Sequence, residues 1–220
     1  MSVKNNIDLL QRELTPKKCK LIAVSKTQPI DKILEAYHAG QRSFGENKAQ
    51  ELEKKWKELP KDIEWHMIGH LQTNKVKYIA PFVSQIHSVD SQKLVAEINK
   101  QGNKENRVIS CLLQIHIAQE DSKFGLSYDE LLRLLNEVNN YPFVKVIGLM
   151  GMATLTDNEE QIRSEFIQLK GYFDELKSKK FSKNIEMKDL SMGMSSDYKI
   201  ALEMGSTMVR IGTTIFGGRK

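Results

Sequence analysis

The chain has 220 residues and a formal net charge of +5, with 40% of its residues hydrophobic and 28% charged. These values are typical of a globular protein with one substantial domain or two small ones. No apolar stretch is long enough to cross a bilayer, and the N-terminal segment is too polar for a signal peptide. We therefore expect a cytoplasmic protein that does not bind membranes.

The cysteines and histidines give no sign of a metal site. Cys19 and Cys111 lie far apart, and the five histidines form no known ligand spacing. Cys111 falls within the apolar run 108–113, which predicts a buried and inert thiol. We expect no metal and, in a reducing compartment, no disulfide.

The positive charge could attract phosphate-bearing ligands or nucleic acid. However, lysines mix with glutamates in the helical segment 51–55, which predicts a solvated helix face. The sequence also lacks the aromatic and basic pattern of RNA-binding domains. A nucleic-acid or surface binder is therefore a third, disfavoured hypothesis, and we expect no nucleic-acid partner.

Strand-like and helix-like segments alternate along the chain. The first helical segment carries Ile7, Leu10 and Leu14 on one face. Apolar runs then predict eight strands, at 20–25, 43–45, 64–69, 83–89, 107–117, 144–150, 188–192 and 208–212. Between strands, apolar residues recur at helical spacing. These stripes are Ala49, Leu52, Trp56 and Leu59; Leu131, Leu134, Leu135 and Val138; and Ile162, Phe166, Leu169, Phe173 and Leu176.

Capping residues support several of these helices. The segments 127–130 (Ser-Tyr-Asp-Glu) and 156–159 (Thr-Asp-Asn-Glu) both predict capping boxes at helix starts. Gly40 and Gly205 stand where helix C-termini are expected.

About eight strand–helix units in one run predict a closed (β/α)₈ TIM barrel, with the N-terminal helix as an extra element at its bottom or side. The alternative is an open doubly wound sheet, which usually carries a glycine-rich fingerprint after its first strand. Here that turn is Lys26-Thr27-Gln28-Pro29, so the barrel is preferred. No linker or repeat divides the chain, and we expect one domain over residues 1–220.

Lys26 stands where the first predicted strand ends. Ligands of parallel α/β proteins bind at the carboxyl ends of strands. A partly desolvated lysine there can lose its proton and act as a nucleophile or a Schiff-base amine. The alternative is a solvated surface charge, because the chain is rich in lysine.

Two later loops carry residues that suit a phosphate. Ser195 and Ser196 lie at the start of a predicted helix, and Gly212-Thr213 follows the last strand. Barrels commonly hold a phosphate at this pair of loops, through helix N-termini and unpaired amides. Taken singly, Ser195 is explained by helix capping and Gly212 by a turn. Together, and opposite a lysine, they favour a phosphate site.

A phosphate site facing an amine suggests pyridoxal 5'-phosphate bound covalently to Lys26. Arg210 lies two residues before Gly212 and could reach the pyridine nitrogen of the cofactor ring. The alternative for Arg210 is an ion pair at a strand end.

Seven motifs together resemble the YggS/PROSC family of pyridoxal-phosphate homeostasis proteins. They are AVSKTQP, FGENKAQE, WHMIGHLQTNK, HSVDS, SKFGL, GLMGM and LSMGMSSDYKIALEMGSTMVRIGTTIFG. The resemblance spans nearly the whole chain. It implies a fold similar to the N-terminal barrel of alanine racemase.

The resemblance also implies roles for particular residues. Lys26 would carry the cofactor as an internal aldimine, and Arg210 would face its pyridine nitrogen. The phosphate would be held by Ser195, Gly212 and Thr213. With Asn47 lining the ring, these residues complete the expected site. One departure is His116, which stands where the family usually has asparagine.

The implied function is intracellular pyridoxal-phosphate homeostasis without significant turnover, with no catalytic residues. The partners would be the cofactor itself and, as candidate recipients, apo-enzymes that depend on it. Racemisation needs a second acid–base group, which alanine racemase takes from a C-terminal domain of a partner subunit. This chain ends at Lys220, so we expect that domain to be missing and a monomer to suffice. A racemase or related enzyme, with His70 or another pocket residue as a second base, is the alternative.

Overall fold

The computed structural model describes residues 2–119 and 124–218. Within them, eight parallel strands follow one another around a closed barrel, and β8 pairs with β1. The strands β1 to β8 are Lys20–Val24, Ser43–Glu46, Glu64–Met67, Gln85–Val89, Ile109–Ile115, Val144–Gly151, Ile185–Ser191 and Met208–Ile211. The predicted TIM barrel is confirmed.

Helices follow the strands on the outside of the barrel. In the described ranges, α1 to α9 are Val3–Leu14, Ile30–His38, Ala49–Glu58, Val76–Ile79, Gln92–Lys104, Tyr128–Glu137, Glu159–Ser178, Tyr198–Glu203 and Thr213–Phe216. Short 3₁₀ turns occupy Thr15–Lys17, Thr73–Lys75 and Val138–Asn140. Among these helices, none combines the length and the apolar character that crossing a membrane requires.

All eight predicted strands exist, with one clear difference in extent. The seventh begins at Ile185, whereas the sequence predicted a start at 188. In its first part, buried Ile185 and Met187 alternate with exposed Glu186 and Lys188. Such alternation is weaker evidence for a strand in a parallel barrel than a continuous apolar run.

The N-terminal helix α1 lies on the side of the barrel. Its buried residues Val3, Ile7, Leu10 and Leu14 form one face, and the helix packs against α2, α9 and β1. The side-chain amide of Asn6 donates to the carbonyl of Ile215 at 3.0 Å. Because α9 is only one turn long, α1 covers the seam between the last and first strands.

The apolar core lies between the strands and the outer helices, and the three predicted helix stripes contribute to it. Inside the barrel the residues are more polar. His87 on β4 and Ser191 on β7 approach to 3.0 Å although their strands are not neighbours. A contact between strands on opposite sides must cross the interior, so a polar column runs through the barrel.

One predicted capping box is confirmed and the other is wrong. Ser127 accepts a hydrogen bond from the amide of Glu130, whose carboxylate accepts from the amide of Ser127. At α7 the capping residue is Asn158, whose side chain accepts from the amides of Glu160 and Gln161. Thr156 instead accepts from the Asn158 amide and belongs to the preceding turn.

The predicted glycine C-caps are confirmed. Gly40 and Gly205 follow α2 and α8 with φ angles of +95° and +87°. The left-handed region is accessible to glycine without a steric penalty, so these residues end their helices as expected.

Gly148 should be required for barrel closure. It lies in β6 at φ +153°, and an added Cβ would stand 1.7 Å from the carbonyl oxygen of Asp189. We expect Gly148→Ala to lower the free energy of unfolding by at least about 2 kcal/mol, because the backbone of β7 must move away. Chemical denaturation measures this loss.

Gly171→Ala is the matched control for the Gly148 substitution. Gly171 lies inside α7, and an added Cβ there meets nothing within 4 Å. This variant should be more stable than the wild type by about 0.5–1 kcal/mol, as expected for alanine in a helix. Equal stability changes in the two variants would contradict the steric explanation.

Candidate functional site

The six residues predicted to form the site lie at the carboxyl end of the barrel. Lys26 and Asn47 follow β1 and β2, and Arg210 lies near the end of β8. Ser195 lies in the loop after β7, and Gly212 and Thr213 follow β8 directly. Parallel strands place all these positions around one mouth.

Arg210 is buried, and its guanidinium is fixed by neighbouring strands. Its Nη1 donates to the carbonyl and the hydroxyl of Ser191, at 2.9 and 2.6 Å, and its Nη2 donates to the carbonyl of Gly151 at 3.0 Å. Burial lowers the pKa of Arg210 to about 10, partly opposed by the negative charge of Asp197. The guanidinium therefore stays protonated at neutral pH. Two backbone carbonyls and one hydroxyl hold the guanidinium in this position.

The loops after β7 and β8 are joined through Ser195. The Ser195 hydroxyl accepts a hydrogen bond from the Gly212 amide at 3.3 Å. Helix α8 begins only at Tyr198, and the residue that precedes it is Asp197. Ser195 is therefore not the capping residue of this helix. Its contact instead brings the two proposed phosphate-binding loops together.

Gly212 also brings β8 close to β1. An added Cβ at this position would lie 3.1 Å from the carbonyl oxygen of Val24 and 3.2 Å from its Cβ. The absence of a side chain lets the two backbones approach each other. Thr213 follows as the exposed first residue of α9. This geometry places the proposed phosphate loop beside the strand that leads to Lys26.

Lys26 lies in a tight turn. The amide of Gln28 donates to the carbonyl of Ser25 at 3.0 Å, and Thr27 adopts a φ of +65°. A β-branched residue in the left-handed region is strained, and such conformations persist only where other contacts enforce them. The Glu51 carboxylate supplies one such contact, accepting from the Thr27 amide at 2.7 Å.

A buried ion-pair network supports this turn from below. The ammonium of Lys55 donates to the carbonyl of Ser25 at 2.7 Å, to Glu46 at 2.8 Å and to Glu51 at 2.7 Å. The Ser25 hydroxyl donates to the same Glu46 oxygen at 2.6 Å. The prediction of a solvated helix face at 51–55 is therefore wrong for Lys55, whose side chain is 6% exposed.

The two carboxylates of the network titrate in opposite directions. Burial raises the pKa of Glu46, although Lys55 and Ser25 partly oppose this shift. Its second oxygen has no hydrogen-bond partner among the described residues. Burial also acts to raise the pKa of Glu51, but the bonds from Lys55 and the Thr27 amide bring it below its ordinary value. Glu51 is thus the firmly ionised partner of Lys55.

Asn47 and His70 lie on the β2 and β3 side of the mouth, in the lining of one shared cavity. Gly69 packs directly on the backbone of Asn47, since an added Cβ would be 2.5 Å from its carbonyl oxygen. His70 lies 3.3 Å from a carboxylate oxygen of Asp90 and stacks on the ring of Phe124. His116 borders a neighbouring cavity with Phe124.

The thiols and metal-ligating groups contribute no further site. Cys19 and Cys111 are both free and buried, and burial raises the pKa of each, to about 11 for Cys19. The prediction that Cys111 is buried is confirmed. In the described part of the chain, no three histidine, cysteine or acidic side chains converge as metal ligands do.

Comparisons with known proteins show which family the chain belongs to. A family model described as "Alanine racemase, N-terminal domain" matches residues 1–220. The pyridoxal phosphate homeostasis protein of Aquifex aeolicus is 43% identical over 202 residues, covering 91% of this chain and 87% of that protein. The chain belongs to the family of pyridoxal phosphate homeostasis proteins.

Two further proteins show the same similarity. The protein of that name from Haemophilus influenzae is 37% identical over 231 residues, covering 100% of this chain and 97% of its own. PipY of Synechococcus elongatus, solved with pyridoxal phosphate bound, is 34% identical, with a TM-score of 0.89. The alignment covers 98% of this chain and all of PipY. The family and fold predicted from the sequence motifs are therefore confirmed.

The sequence did not reveal the residues that hold the site residues in place. Ser191 and Gly151 fix Arg210, and Lys55 with Glu46 supports the Lys26 turn. Residue spacing could have indicated only one contact of Lys55, its ion pair with Glu51, because the two residues are one helical turn apart. The SKFGL motif falls partly on residues 122 and 123, which lie outside the described residues.

Removing Lys55 should destabilise the protein strongly. Lys55→Met leaves Glu46 buried without its cation, and breaking such a pair costs about 3–5 kcal/mol at neutral pH. A carboxyl group whose pKa is raised on folding lowers the free energy of unfolding only at pH values above its unfolded-state pKa of 4.5. The loss should therefore shrink as the pH falls towards that value, which denaturation at several pH values measures.

Lys57→Met is the control for Lys55→Met on the same helix. Lys57 pairs with Glu53 one turn away, but its side chain is 61% exposed. Its removal should change the free energy of unfolding by less than about 0.5 kcal/mol. In the double variant Lys55→Met/Glu46→Gln, part of the loss should be recovered. Additive losses would show that the two groups do not interact.

Proposed function

We propose that this protein binds pyridoxal 5'-phosphate at the carboxyl end of its barrel and serves cofactor homeostasis inside the cell. The observation that carries the proposal is PipY, whose structure holds pyridoxal phosphate and matches nearly the whole chain. The names of the Aquifex and Haemophilus relatives support the same role. Apo-enzymes that need the cofactor are the proposed recipients.

The residues at the mouth fit this cofactor. Pyridoxal phosphate needs an amine, an anion site for its phosphate and a partner for its ring nitrogen. Lys26 supplies the amine at the end of β1. The Gly212 amide donates to the Ser195 hydroxyl, whose own O–H can donate to an anion, and Thr213 adds an exposed hydroxyl. Arg210 supplies a fixed, buried guanidinium.

Each residue would act on a separate part of the ligand. When bound, the cofactor supplies an aldehyde that bonds covalently to an amine and a ring that can delocalise electrons. The Lys26 amine would form that bond, and the turn held by Glu51 would fix its position. Ser195, Gly212 and Thr213 would donate hydrogen bonds to the phosphate. Asn47 would line the pocket on the opposite side.

Arg210 supports a carrier in preference to an enzyme. A guanidinium donates hydrogen bonds and accepts none. Opposite a ring nitrogen, Arg210 would donate to the lone pair and leave that nitrogen without a proton. Strong electron withdrawal needs a protonated nitrogen, which a carboxylate would favour. We therefore propose that the protein holds the cofactor without significant turnover.

A racemase or related enzyme is the second candidate, because one observation favours it. His70 lies at the mouth beside the carboxylate of Asp90. An imidazole oriented by a carboxylate can act as an acid–base group. If it reached the substrate face opposite Lys26, it would complete the pair of bases that racemisation requires.

Lys26 should be the covalent attachment point. After loading with pyridoxal phosphate and reduction with borohydride, peptide mapping should place the adduct on Lys26. Lys26→Ala should lose both this adduct and the visible absorbance band. Lys48→Ala, which removes an exposed lysine after β2, is the control and should keep them. An adduct on another lysine would disprove the assignment.

A bulky side chain in the phosphate loop should weaken cofactor binding more than the loss of one hydroxyl does. Thr213→Val should weaken cofactor binding modestly, by up to about 1.5 kcal/mol, because backbone donors remain. Gly212→Leu should weaken it more, since its side chain would displace Val24 or the ligand. Fluorescence titration measures both affinities. Unchanged affinity in Gly212→Leu would contradict the placement.

Exchange of the α-hydrogen of an amino acid with solvent distinguishes a carrier from an enzyme. The loaded protein should show no exchange of the α-hydrogen with solvent deuterium above the rate of free cofactor, across a panel of L- and D-amino acids. Nuclear magnetic resonance or mass spectrometry follows the label. Enzyme-level exchange that disappears in both Lys26→Ala and His70→Ala would establish the racemase alternative.

A further inference from the structure

The opposite end of the barrel contains a cavity that the proposed function does not use. Its volume is about 470 Å³, within the range of small-molecule sites. We call it the amino-end cavity. Its charged and polar lining includes Lys20, Glu64, His66, Gln85, Lys188 and Asp189.

Two buried nitrogen atoms in the lining make no hydrogen bond of normal geometry. His66 and Gln85 are 2% and 4% exposed, and their Nε2 atoms have no partner among the described residues. Gln85 lies beside His66 and Asp189, close enough for a weak side-chain hydrogen bond to contribute to the pKa of each. Its Nε2 nevertheless makes no hydrogen bond of normal geometry. Buried polar groups are rarely left in this state, so this region suits a ligand that accepts hydrogen bonds.

A chain of hydrogen bonds determines which proton His66 presents. Arg210 donates to the Ser191 hydroxyl at 2.6 Å, which lies 3.0 Å from His87 Nδ1. His87 Nε2 lies 2.9 Å from His66 Nδ1. Because a guanidinium only donates, the Ser191 hydroxyl accepts from Arg210, and its own O–H can donate to His87 Nδ1. His87 then donates to His66.

This assignment leaves the proton of His66 on Nε2. In the reverse assignment, His66 would donate to His87 and His87 to Ser191. The Ser191 O–H would then have no acceptor within this row of hydrogen bonds. Burial lowers the pKa of His66 to about 3. The imidazole is therefore neutral at pH 7 and contributes a hydrogen-bond donor without a charge.

The charges around the cavity favour an anion. Lys20 and Glu64 pair with each other at 2.5 Å and largely cancel. Lys18 and Lys188 also line the cavity, and Asp189 is the remaining carboxyl group. Burial raises the pKa of Asp189. Two ammonium groups therefore face at most one carboxylate.

We infer that the amino-end cavity binds a small anion through an oxyanion group, either a phosphate or a carboxylate. His66 and Gln85 would donate to its oxygens, and Lys18 and Lys188 would neutralise its charge. The proposal is independent of cofactor binding, because the residues proposed for the cofactor lie at the other end of the strands.

The test follows the His66 imidazole by two-bond ¹H–¹⁵N spectra of the full chain at pH 7, without cofactor. Inorganic phosphate and acetate are titrated separately. We expect a saturable shift of the His66 Nε2 resonance with at least one of them. Lys188→Met and Gln85→Leu should weaken this binding roughly tenfold or more, since each removes a donor to an anion.

Two control variants locate the signal. Lys54→Met removes an exposed lysine from α3 and should leave the titration unchanged. Gly212→Leu blocks the proposed phosphate loop at the other end, and it should also leave the titration unchanged. This second control is needed because the hydrogen-bonded chain could carry a signal from Arg210 to His66.

The outcomes are decisive in both directions. A response to phosphate alone identifies a phosphate ligand, a response to acetate alone identifies a carboxylate, and a response to both supports a general oxyanion site. The absence of a saturable shift overturns the proposal. So does a shift that is lost in Gly212→Leu or kept at full affinity in Lys188→Met. The Lys188 position is exposed, so this variant is informative even if Gln85→Leu fails to fold.

Discussion

The guanidinium of Arg210 is a cation buried inside the barrel, and the strands around it must satisfy its donors. Burying a charge without partners costs far more free energy than folding provides. Here β7 supplies a carbonyl and a hydroxyl, and β6 supplies the carbonyl of Gly151. The carboxyl ends of β6, β7 and β8 are therefore held in fixed relation to one another. The need to satisfy the donors of Arg210 therefore fixes the geometry of this part of the barrel mouth.

A second buried cation plays the same part on the other side of the mouth. Lys55 reaches from α3 to the carbonyl of Ser25 and to two carboxylates. A helix outside the barrel thus controls the backbone just before Lys26. The two halves of the candidate site are built differently, one around a guanidinium between strands and the other around an ammonium beneath a turn. One fixes the guanidinium of Arg210, and the other fixes the backbone on both sides of Lys26.

The sequence predicted the barrel because strand runs and helical stripes repeat along the whole chain. It also predicted which loops meet, since closure brings strand ends together whatever their side chains do. It could not predict the state of Lys55, because a glutamate one turn before a lysine looks the same on a buried and an exposed helix face. The contact between His66 and His87 was equally hidden. It depends on the register between β3 and β4, which no short motif encodes.

The packing of α1 has a consequence for the order of folding. Asn6 bonds to Ile215, and Lys20 pairs with Met208, so these contacts join segments about as far apart as the chain allows. Contacts of such long sequence separation slow folding, because a large loop must close before they form. During synthesis, α1 meets α2 and β1 early, but α9 is made only after the last strand. The part of the apolar face of α1 that α9 covers therefore stays exposed until then, which is a situation that molecular chaperones relieve.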